Sequence, residues 1–159
     1  MQTIHAQPLT QEAFAPFGDV LAAIGAPDKL INQGLCGRFH DRAGLDFSGG
    51  RAGLSLFKAT PRSLPYRLDM VERHPDGSQA FIPMSEAPFL VIIAPDLDGR
   101  PGRPLAFLTD GAQAINFRRG TWHGVLTPLS PPGLFAVVDR IGPGTNLEEY
   151  WFERAYVIA

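Results

Sequence analysis

Glycine and proline punctuate this chain too often to leave room for long helices. There are 17 glycines and 15 prolines in 159 residues, about a fifth of the chain. Proline removes a backbone donor and glycine costs helix stability, so a bundle of helices is excluded. The segments left between these breaks are short and rich in β-formers. Strands are predicted at Gly53 to Ala59, Tyr66 to Glu72, Gln79 to Pro83, Phe89 to Ala94, Ala106 to Thr109, Gln113 to Phe117, His123 to Leu126 and Leu134 to Ile141. Turn signals such as Pro75-Asp76-Gly77, Asp110-Gly111 and Ser130-Pro131-Pro132-Gly133 separate them. Strands at intervals of about ten residues predict an all-β sandwich or barrel. One short helix is expected at Leu9 to Phe14, capped by Thr10 and stopped by Pro16 and Gly18. A second is expected near Asn146 to Trp151. Gly25 to Arg51 reads as an irregular arm with one or two strands.

Composition narrows the class. The chain has 45% hydrophobic and 19% charged residues, which suits one globular domain, expected over residues 1–159. A net charge of −2 gives no basic footprint for nucleic acid. The longest apolar run, Phe89 to Ala94, is too short to cross a bilayer as a helix. The first residues, Met1-Gln2-Thr3-Ile4-His5, lack the basic-then-apolar pattern of a secretory signal, so a cytoplasmic location is expected. Cys36 is the only cysteine, which excludes an internal disulfide and a thiolate metal cluster.

The segment Tyr66 to Pro75 is the most informative. In a strand, side chains alternate between faces. Tyr66, Leu68 and Met70 then share an apolar face, and its continuation brings in Glu72 and His74. A carboxylate and an imidazole on a core-facing row need a partner or a metal, because burying a bare charge is costly. The other reading has both emerge at the barrel rim and pair with solvent or arginine. Pro75 to Ser78 reads as a turn that would set Gln79 beside His74 on an adjacent antiparallel strand. A second histidine, His123, follows the turn Arg118-Arg119-Gly120.

These residues resemble the two cupin motifs. In the first, His-x-His-x4-Glu, the positions hold Glu72, His74 and Gln79; in the second, Pro-x-Gly-x-x-His, they hold Arg118, Gly120 and His123. The spacings match and three identities depart. A wider resemblance joins Pro8 to Val20, Ile31 to Gly34, Arg38 to Asp41, Glu72 to Pro75, Gln79 to Met84 and Trp122-His123. Together they are similar to the ureidoglycolate lyase family. That resemblance implies a cupin-type β-barrel (a double-stranded β-helix or jelly roll) and a homodimer. It also implies cleavage of (S)-ureidoglycolate to glyoxylate and urea in allantoin and purine degradation, and an association with divalent metals including nickel.

Ureidoglycolate carries a hydroxyl, a carboxylate and a ureido nitrogen on one carbon. Its elimination needs a base at the hydroxyl, an acid at the nitrogen and a donor for the carboxylate. His74, His123 and Glu72 are the catalytic candidates, and which gives and which takes the proton stays open. Lys58 shares a strand face with Leu54 and Leu56, so it is expected to point inward and hold the carboxylate. Gln79, Asn116 and Arg38 are further substrate-binding candidates. Whether Arg38, His40 and Asp41 serve the site or the dimer stays open. His74, Gln79, His123 and Glu72 could hold Ni²⁺ or Mn²⁺, and no organic cofactor is expected. The ligand is expected to be a small molecule, with no nucleic acid or membrane partner. Two other functions stand beside the lyase: a non-catalytic cupin binding a small carboxylic acid, or another cupin enzyme such as an epimerase or a metal-dependent dioxygenase. The released nitrogen product, urea or ammonia, also stays open.

Overall fold

The computed structural model describes residues 1–159. The first third holds β1 (Gln2–Ile4), β2 (Gln7–Pro8), α1 (Gln11–Phe14), β3 (Gly18–Leu21), β4 (Lys29–Ile31) and β5 (Cys36–Arg38). Long strands follow: β6 (Arg51–Lys58), β7 (Tyr66–Arg73), β8 (Gln79–Pro83) and β9 (Phe89–Ala94). Next come β10 (Asp96–Leu97), β11 (Arg100–Pro101), β12 (Leu105–Leu108), β13 (Ala114–Phe117), β14 (Trp122–His123) and β15 (Thr127–Pro128). The chain closes with β16 (Leu134–Ile141) and β17 (Glu148–Ile158).

Two sheets make the body. The larger runs β1-β17-β7-β14-β9-β12-β2, with β15 also on β9; the smaller runs β3-β13-β8-β16-β6. Between them lies a core of Phe14, Phe81, Phe89, Val91, Ile93, Phe107, Ile115, Phe117, Phe135 and Val137, among others. The alternation of β9 shows how one strand serves two cores. Phe89, Val91 and Ile93 enter the inter-sheet core, while Leu90, Ile92 and Ala94 join a second cluster with Leu68, Val71, Trp122 and Ile158. Burial on both faces is why Phe89 to Ala94 reads as an unbroken apolar run. The fold is all-β and cupin-type, a curled mixed sheet closed by a second sheet.

Thr10 caps α1 as its residue type predicts: its backbone is extended and its side chain accepts a hydrogen bond from the Ala13 N–H. The expected second helix is absent. Glu148 to Trp151 begins β17, which pairs antiparallel with β7 and parallel with β1. Leu147-Glu148-Glu149 favours helix locally, but Tyr150, Phe152, Tyr156 and Ile158 have a sheet and an apolar cluster to bury against. The arm contains one hairpin, β4 on β5.

The alternation along β7 also differs from expectation. Leu68 and Val71 both enter the second cluster although they lie three positions apart, an odd step that strict alternation would send to opposite faces. The pairing of β7 with β17 shifts register between Trp151 and Tyr156, and this irregularity changes the parity. Glu72 and His74 therefore do not share the face of Leu68; they lie opposite Val71, toward the inter-sheet core. Nor do β7 and β8 pair. β7 lies between β17 and β14, β8 between β13 and β16, so the turn at Pro75 to Ser78 crosses from one sheet to the other.

Candidate active site

At one end of the inter-sheet space, polar side chains replace the apolar core. His123 pairs across β14 with Glu72 of β7 on one side and Ile93 of β9 on the other. Cross-strand partners share a face, so Glu72 and His123 point the way Ile93 does, into the barrel. The His123 ring stacks flat on Phe117, centroids 4.3 Å apart, and lies 5.2 Å from the His74 ring. Gln79 arrives from the opposite sheet. It pairs with Phe117 on β13 and with Asp139 on β16, and its Nε2 donates to the Asp139 carboxylate at 3.1 Å.

The two imidazoles are held alike. His74 Nδ1 lies 2.8 Å from the Asn146 carbonyl, and His123 Nδ1 lies 2.9 Å from the Gly124 carbonyl. A carbonyl only accepts, so Nδ1 carries a proton in each ring, and in the neutral ring the lone pair sits at Nε2. Both Nε2 atoms are buried without a partner, and so is Gln79 Oε1. Buried polar atoms are seldom left unpaired, so three orphans at one barrel end mark a place built for a ligand. The ligating atoms of Glu72, His74 and His123 lie within 4.8 Å of one another. These donors fit a divalent ion: two imidazole nitrogens and a carboxylate, with each ring oriented from behind by a carbonyl.

Burial sets the protonation states. It pushes His123 down to about 3, with repulsion from His74 adding and the Gly124 carbonyl opposing. His123 is thus a neutral lone-pair donor at any working pH. Burial pushes the Glu72 carboxyl above its ordinary value; His74 pulls against this and Glu149 adds to it. A carboxyl so raised can hold and release a proton nearer neutrality.

Three expected residues stand elsewhere. Lys58 faces outward. Phe57 and Val137 point into the barrel, so Leu54, Leu56 and Lys58 lie on the outer face, where Leu54 is 75% and Leu56 66% exposed. Shared parity with leucines implied the core only if those leucines were buried. Lys58 also pairs with Leu134, five positions along β16 from Asp139 and roughly 16 Å from the site's level. Asn116 is fully buried but on the opposite face of β13 from Phe117, donating to Asp19 and to the Gly44 carbonyl. Arg38 is exposed on the arm hairpin. Nearby, Asp28 accepts from the His40 N–H and from Arg42, which holds its carboxyl below the ordinary range. Asp139 and Asn146 escaped the sequence reading. Parity with buried Val137 pointed to the first; no local signal pointed to the second.

A larger cavity of about 440 Å³ lies beneath the arm, lined by Leu21, Phe39, Ile82, Ala114 and Arg42 among others. Its one charged group, Arg42, is already paired with Asp28. It offers no acid–base pair.

A cupin-type barrel with an interior cluster of two imidazoles, a raised carboxyl and unpaired polar atoms is the frame of a small-molecule enzyme. Comparison with known proteins makes this particular. The family described as Ureidoglycolate lyase matches residues 1–159, and the chain belongs to that family. It is 60% identical over 151 residues to a ureidoglycolate lyase of Rhodobacter capsulatus, covering 94% of both chains. It is 52% identical over 160 residues to one of Mesorhizobium japonicum, covering 99% of this chain and 98% of that protein. It is 51% identical over 154 residues to one of Rhizobium etli, covering 96% and 93%. The chain is a lyase by family, and no helix in the structure is long and apolar enough to cross a membrane.

Proposed function

We propose that this chain cleaves (S)-ureidoglycolate to glyoxylate and urea at the His74, His123 and Glu72 cluster. The observation that carries the reading is the pair of buried, unpartnered Nε2 lone pairs beside a raised carboxyl, in a chain of this family.

Each atom of the elimination has a place in this scheme. His74 Nε2 takes the proton of the hemiaminal hydroxyl. The oxygen electrons form the aldehyde carbonyl as the carbon–nitrogen bond breaks. The departing nitrogen takes a proton from the Glu72 carboxyl and leaves as urea. The proton on His74 then passes to Glu72, whose ligating atom lies within 4.8 Å, and the site is reset. His123, neutral throughout, accepts from one ureido N–H through its Nε2 lone pair. Gln79 offers Oε1 to a ureido N–H, since its amide N–H₂ already faces Asp139. Stacked Phe117 and the surrounding core exclude water from this end.

The same four side chains, His74, His123, Glu72 and Gln79, would hold a divalent ion such as Ni²⁺ or Mn²⁺. When bound, it supplies Lewis acidity at the substrate hydroxyl. A homodimer belongs to this reading as well. β6 is an edge strand of its sheet and carries Leu54 and Leu56 in the open, a surface that a second copy would cover. The small-molecule substrate and a cytoplasmic setting complete it.

The test is turnover of (S)-ureidoglycolate with spontaneous breakdown subtracted, after EDTA treatment and again with added Ni²⁺ or Mn²⁺. Glyoxylate and urea in equal amounts are expected. Activity that survives EDTA assigns hydroxyl activation to the imidazole; activity restored only by the ion assigns it to the metal. No glyoxylate above background in either arm removes the reading, and ammonia in place of urea would replace elimination with hydrolysis.

A further inference from the structure

His74 stands at the end of β7 without regular pairing of its own, yet its ring direction decides what the site can do. Two of its backbone and side-chain ties lie far away in sequence. Its carbonyl accepts from the Gly120 N–H at 3.0 Å, which fixes the main chain. Its ring is fixed by Asn146, in the connection between β16 and β17. The Asn146 carbonyl accepts from His74 Nδ1 at 2.8 Å, and the Asn146 side chain Oδ1 accepts from the Asp76 N–H at 2.7 Å. One residue thus grips the His74 segment twice, at the imidazole and at the main chain two residues on. The connection has one other tie, from Arg140 to the Pro143 carbonyl at 3.2 Å, and residues 141 to 145 are exposed.

We propose that Asn146 is a positioning residue: its side-chain anchor to Asp76 holds its own carbonyl against His74, and so keeps the His74 proton on Nδ1 and the lone pair at Nε2. The side chain acts through the backbone. Without the Asp76 anchor, the glycine- and proline-containing connection is free to carry the carbonyl away. A His74 ring released from that carbonyl can take its proton on Nε2, where it blocks both base action and metal binding. Partners behind a reactive or ligating histidine are worth about 10–100-fold in metal affinity or activity. The inference rests on the proposed role of His74, but its primary readout does not need turnover.

The experiment compares wild type, Asn146→Ala and Asn146→Asp by two-bond ¹⁵N–¹H correlation of the imidazoles, with kcat, KM and Ni²⁺ affinity measured beside it. Wild type is expected to show His74 protonated on Nδ1. Asn146→Ala is expected to show a mixture of tautomers, a 10–100-fold loss in kcat and in Ni²⁺ affinity, and an unchanged far-UV spectrum. Asn146→Asp, which keeps an acceptor for the Asp76 N–H, is expected to restore the Nδ1 signature. An alanine variant with the wild-type tautomer overturns the proposal, whether or not its activity falls. Should the alanine variant fail to fold, wild type and Asn146→Asp decide: Nε2–H on His74 in either overturns it. Absence of turnover in a wild type with the Nδ1 signature would sink the assigned reaction and leave this inference standing.

Discussion

At the scale of single residues, the proposed chemistry falls to His74, His123, Glu72 and Gln79, whose unpaired or ligating atoms cluster between the sheets. Glu72, His74, Gln79 and His123 stand out in the sequence because polar groups sit at fixed spacing among strand residues, and the fold brings all four to one barrel end. Lys58 shows the limit. Alternation sorts side chains into two faces but cannot say which face meets the core, and here the leucine face of β6 meets solvent. The second tier of the site was unreadable for another reason: Asp139 lies 60 residues from Gln79 and Asn146 lies 72 from His74. Two outcomes separate these residues. His74→Ala should lower turnover by at least about a hundredfold with far-UV circular dichroism unchanged, the magnitude of a lost acid–base group. Lys58→Met should leave KM for ureidoglycolate unchanged; a raised KM would return the substrate carboxylate to Lys58.

At the scale of elements, the strands that carry the site are braced from outside. Arg73, between Glu72 and His74, reaches Glu148 on β17 at 2.7 Å and Asp96 at 3.0 Å, and its guanidinium lies 4.3 Å over Trp122, the neighbour of His123. Trp122 Nε1 donates to the same Asp96 carboxylate at 2.8 Å. The brace crosses β7, β14, β17 and the start of β10. Asp96 is held below the ordinary carboxylate range, chiefly by the Trp122 N–H, then by the Gly99 N–H and Arg73. Asp96→Ala should cost about 1 kcal/mol, below the usual range for a charged acceptor because the carboxylate is half exposed. A depressed folded pKa means this contribution is present above the unfolded value and is lost as pH falls through the folded one. Urea midpoints of wild type and Asp96→Ala should therefore differ at pH 7 and converge in acid below about pH 4; a gap that widens in acid would contradict the brace. Elements were legible where apolar residues run unbroken or alternate between turn signals. Phe89 to Ala94 and Leu134 to Ile141 match their predicted spans. Glu148 to Ile158 was not, because its first residues favour helix and its strand character comes from partners at the other end of the chain.

At the scale of the whole molecule, two faces remain to be assigned in solution. The outer face of β6 exposes Leu54 and Leu56 on an edge strand. Sedimentation at micromolar concentration should give a dimer, and Leu54→Asp with Leu56→Asp should give a folded monomer; a wild-type monomer would leave those leucines unexplained. The other question is where the substrate goes, since a cavity of about 440 Å³ lies under the arm, lined by none of the four candidate residues. Cross-strand pairing brings His74, His123, Glu72 and Gln79 together at the barrel end, where the proposed reaction is assigned. The most direct check is to locate bound glyoxylate, by a crystal structure of the complex or by ¹⁵N shift perturbation of the imidazoles. Glyoxylate bound as its hydrate, with its hydroxyls donating to the Nε2 atoms of His74 and His123, is the expected result. Glyoxylate lodged instead beside Leu21, Phe39 and Ile82, with both imidazoles unperturbed, would contradict it.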